Sequence, residues 1–179
     1  MPIQIKTERL TLRPWKRKDR SALNQMCRDP EMMQYVTGGS AMSNGQIRDF
    51  LKRQKRHLRN HQVCFFAMEH TETKQIVGLA GMQPLDPVDE NTPGDFELGW
   101  WVWKEHWRNG YATEAGLALL DYARGPLSLK KVAAVITPAN SASIGVAEKL
   151  GMTLECQKPA NQTINTRPDW MIAYYSRGL

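Results

Sequence analysis

The chain has 179 residues, of which 24 are Lys or Arg and 18 are Asp or Glu, so its formal net charge is +6. A proportion of about one domain per 150 residues is usual, and a chain of this size buries enough surface to fold without disulfides or metals. Its 41% hydrophobic and 23% charged residues, with 13 Gly and 10 Pro, exclude a disordered, collagen-like or coiled-coil protein. We therefore expect a single domain over residues 1–179.

The sequence also carries information about the compartment. No stretch approaches the roughly 18 consecutive apolar residues of a membrane-spanning helix. Lys6 and Glu8 stand where a signal peptide would be apolar, so we expect a soluble, cytoplasmic protein. Cys27, Cys64 and Cys156 lie far apart and form no CxxC pair, which predicts free thiols rather than a disulfide framework or a metal site.

The first predicted elements are one strand and two helices. Residues 9–13 alternate apolar and polar side chains, as in a half-buried strand. One helix is predicted over about 18–28, and a second from Ser43, a suitable N-cap, to about Asn60. Six basic residues crowd the second helix: Arg48, Lys52, Arg53, Lys55, Arg56 and Arg59. They form either the solvated side of an amphipathic helix or a contact for nucleic acid.

The remaining elements alternate between strand and helix patterns. They are an antiparallel hairpin of residues 63–69 and 75–83, a strand over 95–103, a helix over 111–124, a strand over 131–137, a helix over 140–150 that Asn140 caps, and a last strand over 170–176. This order predicts a mixed α/β single domain.

An acidic run interrupts the pattern before the strand over 95–103. Its members are Asp86, Asp89, Glu90, Asp95 and Glu97, and residues 85–97 contain no Lys or Arg. The run is either a solvated loop or a region that attracts a cationic ligand.

The segment from Trp107 to Ala115 contains a glycine, Gly110, where a loop enters the helix over 111–124. Backbone N–H groups at such a junction can converge on an anion, and the helix N-terminus adds a positive partial charge. The spacing is neither that of a Walker P-loop nor GxGxxG, so an ordinary turn stays open at this point.

Three segments together resemble a known family. Residues 97–101, 107–115 and 140–152 are similar, in order and spacing, to the E-I-G-Y-W, W-G-K-G-Y-A-T-E-A and N-x-x-S-x-x-V-x-E-K-L-G-F patterns of the GNAT-superfamily N-acetyltransferases. The resemblance is to the RimJ/RimL-like branch. The segment from Thr7 to Arg13 also resembles the opening segment of that branch. It covers nearly the whole chain.

The resemblance implies a mixed central sheet that is splayed in the middle and flanked by helices, with acetyl-coenzyme A in the gap. The pyrophosphate would lie on the backbone of residues 108–113, and the pantetheine arm would run beside the end of the strand over 95–103. The cofactor-binding residues implied are Trp101, Val102, Trp103, Arg108, Asn109, Gly110, Tyr111, Ala112, Thr113 and Asn140. The branch commonly has Gly at the position of Arg108, where this chain adds a cation.

The resemblance also implies catalytic roles. Glu97 aligns with a strand glutamate that serves as a base, although a strand carboxylate without a role is the alternative. Many superfamily members use a Tyr as the acid that protonates the thiolate, and Ala147 occupies that position here. Ser143 is then the nearest candidate hydroxyl, unless it only satisfies backbone groups in the first helical turn. An N–H near Val102 would stabilise the oxyanion.

We therefore expect acetyl transfer from acetyl-coenzyme A to a primary amine by direct attack in a ternary complex. The acceptor would be a cationic small molecule or a protein N-terminus. No metal and no nucleic-acid partner are expected, and a homodimer is left open. The alternatives are a noncatalytic acyl-coenzyme A binding module and a ribosome- or RNA-associated protein that uses the basic helix.

Overall fold

The computed structural model describes residues 3–85, 96–159 and 171–179. Within these residues, eight strands form one sheet in the order β1-β2-β3-β4-β5-β6-β8-β7. The strands are β1 Ile5–Lys6, β2 Leu10–Arg13, β3 Phe65–His70, β4 Ile76–Pro84, β5 Phe96–Val102, β6 Lys131–Ile136, β7 Thr153–Pro159 and β8 Met171–Gly178. The helices are α1 Arg20–Arg28, α2 Pro30–Met33, α3 Asn44–His61, α4 Tyr111–Arg124 and α5 Ser141–Lys149.

Strand directions give the sheet its mixed character. β5 and β6 pair in parallel, whereas every other neighbouring pair of described strands is antiparallel. The predicted hairpin is the β3–β4 pair, and the predicted helix over 111–124 is α4. The mixed α/β single-domain fold expected from the sequence is confirmed.

The long helix α3 shows how local sequence sets an element. Ser43 is its N-cap, as predicted: the Ser43 hydroxyl accepts a hydrogen bond from Gln46 N, and Gln46 Oε1 accepts one from Ser43 N. This reciprocal capping box satisfies two backbone donors at the helix start. The helix ends at His61, and its C-cap Gln62 has a left-handed φ of 60° and an N–H that donates to Leu58 O.

Among the described residues, the two larger of three hydrophobic clusters cover the two faces of the sheet, and the third is a small cluster around Ile172 and Tyr174 of β8. On one face, α4 and α5 pack on the strands in what we call the major core, which includes Leu98, Leu119, Ala147 and Leu150. On the other face, α1 and α3 form the minor core, with Leu23, Met26, Cys27, Ile47, Phe50, Phe65 and Leu79. Each strand of the centre therefore presents alternate residues to a different layer of helices.

Part of the predicted acidic run lies outside the described residues. Asp86, Asp89, Glu90 and Asp95 belong to that part, and only Glu97, on β5, is described. The last predicted strand is β8, described from Met171 onward.

Candidate active site

A cleft opens between β5 and β6 at their carboxyl ends. Among the described residues the two strands pair at a single position, Glu97 opposite Ala133. Beyond it, β5 continues to Val102 and β6 to Ile136 without further pairing. The splay implied by the family resemblance is therefore present, and the segments that follow each strand flank its opening.

The loop of residues 107–110, which we call the anion loop, joins this cleft to α4. Arg108 and Gly110 both have positive φ, 62° and 80°. Gly110 is the N-cap of α4, and no side chain caps the helix there. The first backbone N–H groups of α4 are thus available for an acceptor from outside the helix, and an anion suits them because the helix dipole is positive at this end.

A hydrogen bond from Trp107 connects the anion loop to the end of β5. The indole Nε1 donates a hydrogen bond of 2.6 Å to Val102 O, although the side chain is 43% exposed. The sequence does not predict this contact, because the two residues are five apart in an irregular segment. Asn109 Nδ2 donates to Trp107 O at 3.2 Å and tightens the same turn.

The backbone of Val102 faces the cleft. The neighbouring Trp103 N–H donates to Val77 O of β4 at 2.9 Å. Because successive backbone groups of a strand point to opposite sides, the Val102 N–H points away from β4, toward the side where pairing with β6 has ended. That N–H is therefore placed where a developing oxyanion in the cleft could accept a hydrogen bond.

Glu97 lies on the sheet face that carries the minor core. Leu98 points into the major core, so the alternation of the strand puts Glu97 on the same side as Trp101. Gln83 Nε2, from the adjacent position of β4, donates a hydrogen bond of 2.9 Å to Glu97 Oε2. The carboxylate is thus held by a neighbouring strand beside the cleft.

Aromatic residues cover the same sheet face further along β5. The rings of Phe50 and Trp101 stack with centroids 6.1 Å apart. The guanidinium of Arg53, from the basic helix α3, lies 5.8 Å from the Phe50 centroid. Trp103 also packs against the minor core, so both tryptophans contribute to packing on this face.

The start of α5 lies across the cleft, after β6. Asn140 is the N-cap, and its Oδ1 accepts a hydrogen bond of 3.1 Å from Ser143 N. The side-chain carbonyl of Asn140 therefore caps α5, as the sequence predicts, whereas its amide NH₂ group is a hydrogen-bond donor. Ser143 is half-buried in the first turn, and Ala147 is fully buried in the major core. The position at which other superfamily members carry a Tyr thus holds a small core side chain.

Sequence reasoning missed one cluster beside the anion loop. Glu114, in the first turn of α4, binds Thr7 and Arg9 of the segment before β2. These residues lie in motifs of the family resemblance, but they are more than 100 positions apart. Their contact could not be read from local spacing.

Within the described ranges no group of three or more His, Cys, Asp or Glu could hold a metal ion. In the same part of the chain no helix is long and apolar enough to cross a membrane. The three cysteines are free; Cys27 and Cys64 are buried and Cys156 is partly exposed.

Comparison with known proteins identifies the family. Residues 9–153 match the family model described as an acetyltransferase (GNAT) domain. The chain is 33% identical over 150 residues to the uncharacterized protein YkkB of Bacillus subtilis, covering 83% of this chain and 84% of that protein. It is 32% identical over 149 residues to the uncharacterized N-acetyltransferase p20 of Bacillus licheniformis, covering 83% of this chain and 82% of the relative.

Solved structures have the same fold. An acetyltransferase from Agrobacterium tumefaciens superposes with a TM-score of 0.80 at 26% identity, over 99% of this chain and 95% of that one. RimL, a ribosomal-protein alpha-N-acetyltransferase solved in complex with coenzyme A, superposes with a TM-score of 0.79 at 16% identity, over 99% and 98%. With the match over most of its length, the chain belongs to the GNAT acetyltransferase family.

Proposed function

We propose that this protein transfers an acetyl group from acetyl-coenzyme A to a primary amine, and that residues 1–179 act as one RimJ/RimL-like acetyltransferase unit. The observation that carries the proposal is the cleft between β5 and β6, which leads to the uncapped N-terminus of α4. Membership of the acetyltransferase family and the coenzyme A bound by the RimL structure support it.

The cofactor-binding residues follow from that cleft. Residues 108–113 would hold the pyrophosphate through backbone N–H groups, and the positive φ of Arg108 and Gly110 suits a loop that curls around an anion. Trp101, Val102 and Trp103 would line the pantetheine arm, with Asn140 donating from the opposite side. The coenzyme supplies an acetyl thioester, an activated acyl donor.

The chain's own groups would handle the protons and the charge. Near neutral pH roughly a tenth of an α-amine, and far less of a lysine side chain, is uncharged, so a base is needed. Glu97 would accept the proton of the attacking amine, directly or through water. The Val102 N–H would stabilise the oxyanion, and the Ser143 hydroxyl would protonate the sulfur as the C–S bond breaks and the C–N bond forms.

Direct attack in a ternary complex is favoured over an acyl-enzyme. An acyl-enzyme requires an activated nucleophile such as a thiolate. Burial raises the pKa of Cys27 to about 11 and that of Cys64 to about 12, so both thiols stay protonated at neutral pH.

The acceptor in this proposal is a cationic small molecule or a protein N-terminus. The reason is the carboxylate-rich sequence that leads into β5, of which Glu97 is the described member. Carboxylates before and on the strand that borders the cleft would raise the local concentration of a cationic amine.

Thermal unfolding with acetyl-coenzyme A tests the binding half of the proposal. A ligand that binds only the folded state should stabilise it by about 2.7 kcal/mol at 100-fold excess over Kd. Gly110→Glu should remove this shift, because it fills the loop and brings a like charge to it. Gly178→Glu is the matched control: a Cβ there meets no atom within 4 Å, and the residue pairs with Lys131 at the other end of β6. Equal shifts in both variants would refute the phosphate assignment.

Release of free thiol from acetyl-coenzyme A, measured with and without a panel of amines, tests the transfer half. We expect thiol release that depends on the amine and matches formation of the N-acetyl product. Ligand-induced stabilisation without any amine-dependent release would indicate a noncatalytic acyl-coenzyme A binding module instead.

A further inference from the structure

We propose that Arg9 is an affinity-determining residue for the cofactor, because it offsets the charge of Glu114 beside the anion loop. The inference rests on the proposed function, since the ligand in question is coenzyme A. It concerns side chains that no motif assigns to the cofactor.

The carboxylate of Glu114 is bound at both oxygens. Its Oε1 accepts hydrogen bonds from Thr7 Oγ1 at 2.5 Å and from Arg9 N at 2.9 Å. Its Oε2 lies 2.7 Å from Arg9 Nε and 2.6 Å from Arg9 Nη2. The segment before β2 is thus tied by four contacts to the first turn of α4.

The same guanidinium lies against the anion loop. Arg9 Nη2 is 3.6 Å from the position that a Cβ on Gly110 would occupy, and the guanidinium carbon lies 4.9 Å from the centroid of the Tyr111 ring. The Arg9 side chain is 42% exposed, whereas Glu114 is 17% exposed. The Arg9 guanidinium therefore lies on the solvent-facing side of this site, and the Glu114 carboxylate is the more buried member of the pair.

The charge of Glu114 makes such a cation necessary. Burial alone would raise the pKa of Glu114, but hydrogen bonds from Thr7 and Arg9, together with the Arg9 charge, hold that pKa below its ordinary value. Glu114 is therefore ionised at neutral pH. A carboxylate one helical turn from the N-terminus opposes the binding of an anion there, and a paired guanidinium cancels that repulsion.

The pair also predicts an asymmetry between its two members. Loss of Arg9 leaves the negative charge of Glu114 close to the pyrophosphate. Loss of the Glu114 charge leaves a cation beside the loop, which does not oppose an anion. A purely structural tie would instead weaken the site whichever partner is removed.

The test compares Arg9→Met, Arg9→Lys, Glu114→Gln and the double variant Arg9→Met/Glu114→Gln. The dissociation constant of coenzyme A is measured by calorimetry at low and high salt, and pantetheine, which lacks the phosphates, is the probe without the anion. Arg9→Met should raise Kd for coenzyme A roughly tenfold, because it leaves the Glu114 charge without a counter-ion close to the pyrophosphate. Arg9→Lys should retain most of the affinity, and the double variant should recover most of it. Pantetheine binding should not change.

Salt should reduce the difference between Arg9→Met and wild type, because exposed charges are screened over about 8 Å at physiological ionic strength. A double variant no better than Arg9→Met, or an equal loss for pantetheine, would overturn the proposal and leave a structural tie. If wild type binds coenzyme A and Arg9→Met binds it equally, only the role of Arg9 is refuted. If wild type binds no coenzyme A, the proposed function itself is refuted. If Arg9→Met does not fold, Glu114→Gln alone tests the proposal. Coenzyme A binding that is unchanged or tighter in Glu114→Gln supports charge compensation, and weaker binding indicates a structural tie.

Discussion

At the scale of single residues, the arrangement around Glu97 combines what the sequence could indicate with what it could not. The motif resemblance singled out Glu97, but its hydrogen-bond donor Gln83 lies 14 positions earlier on another strand. Only the register of β4 against β5 brings the two together. A side chain held by a neighbour in this way keeps one orientation, which a base needs in order to meet its proton.

Glu97→Gln should lower kcat/KM most at low pH, where the acceptor amine is protonated and needs a base. General bases contribute about 10²- to 10⁴-fold, so a loss within that range is expected at neutral pH. Activity should recover as the pH rises toward the pKa of the amine, because the free amine then forms without help. The measurement is the pH profile of kcat/KM for one amine acceptor.

The matched control is Glu72→Gln, the same substitution in the exposed turn between β3 and β4. It should leave the profile as in wild type. A Glu97→Gln profile parallel to that of wild type would show that Glu97 has only a structural role.

At the scale of elements, the predictable helices and strands are those whose side-chain pattern matches their surroundings. The helix α4 has the predicted bounds because its apolar stripe faces the major core and glycines flank both ends. The edge strand β7 has no predicted bounds, because most of its residues are exposed and show no apolar alternation. Pairing with β8, not hydrophobic patterning, makes it a strand.

The short helix α2 was not predicted, for a different reason. The sequence predicts a helix that ends at about residue 28, and α1 does end at Arg28, but a second helix, α2, begins at Pro30, where Asp29 Oδ1 accepts hydrogen bonds from Glu31 N and Met32 N. Proline is well suited to the first position of a helix, so Pro30 is compatible with a new helix directly after α1.

The packing of α4 on α5 gives a prediction at this scale. A Cβ on Gly116 would lie 2.6 Å from Cδ1 of Leu150, which is fully buried and cannot move aside without disturbing the major core. Gly116→Ala should therefore lower the free energy of unfolding by about 1–3 kcal/mol, despite the better helix propensity of alanine. Urea unfolding at neutral pH measures the change.

Gly145→Ala, in α5, is the matched control, because a Cβ there meets nothing within 4 Å. It should raise the free energy of unfolding by roughly 0.5–1 kcal/mol through helix propensity alone. If both substitutions stabilised the protein to the same degree, the close contact between Gly116 and Leu150 would be refuted.

At the scale of the whole molecule, the fold class was predictable but the sheet order was not. Alternating strand and helix patterns indicate a mixed α/β domain, whereas the insertion of β8 between β6 and β7 depends on contacts far apart in sequence. The position at which β5 and β6 separate is equally non-local, since one residue pair defines it. The resemblance implied a splayed sheet, and the structure supplies the residues at which it opens.

A buried charge network joins the N-terminal elements to the sheet. Arg13 on β2 binds Asp19 through Nη1 and Nη2 at 2.7 and 2.9 Å, and binds Glu69 on β3 through Nε at 3.0 Å. Burial alone would raise the pKa of Asp19, but hydrogen bonds from Arg13 and the Lys16 N–H hold it below its ordinary value. The hydrogen bond from Arg13 likewise lowers the pKa of Glu69.

This network predicts how the stability of the whole protein depends on acid. A carboxyl group whose pKa is lower in the folded state stabilises the protein above its unfolded pKa, about 4, and loses that contribution as the pH falls through the folded value. Asp19→Asn should cost about 3–5 kcal/mol at pH 7, because it breaks a buried pair, and should flatten the decline in the free energy of unfolding below about pH 4. Urea unfolding across this pH range gives both quantities.

The exposed Asp49→Asn should change stability by less than about 1 kcal/mol and keep the wild-type slope. Some slope should remain in Asp19→Asn, because Glu69 and Glu114 also have lowered pKa values. A slope as steep as that of wild type would mean that Asp19 contributes no acid sensitivity.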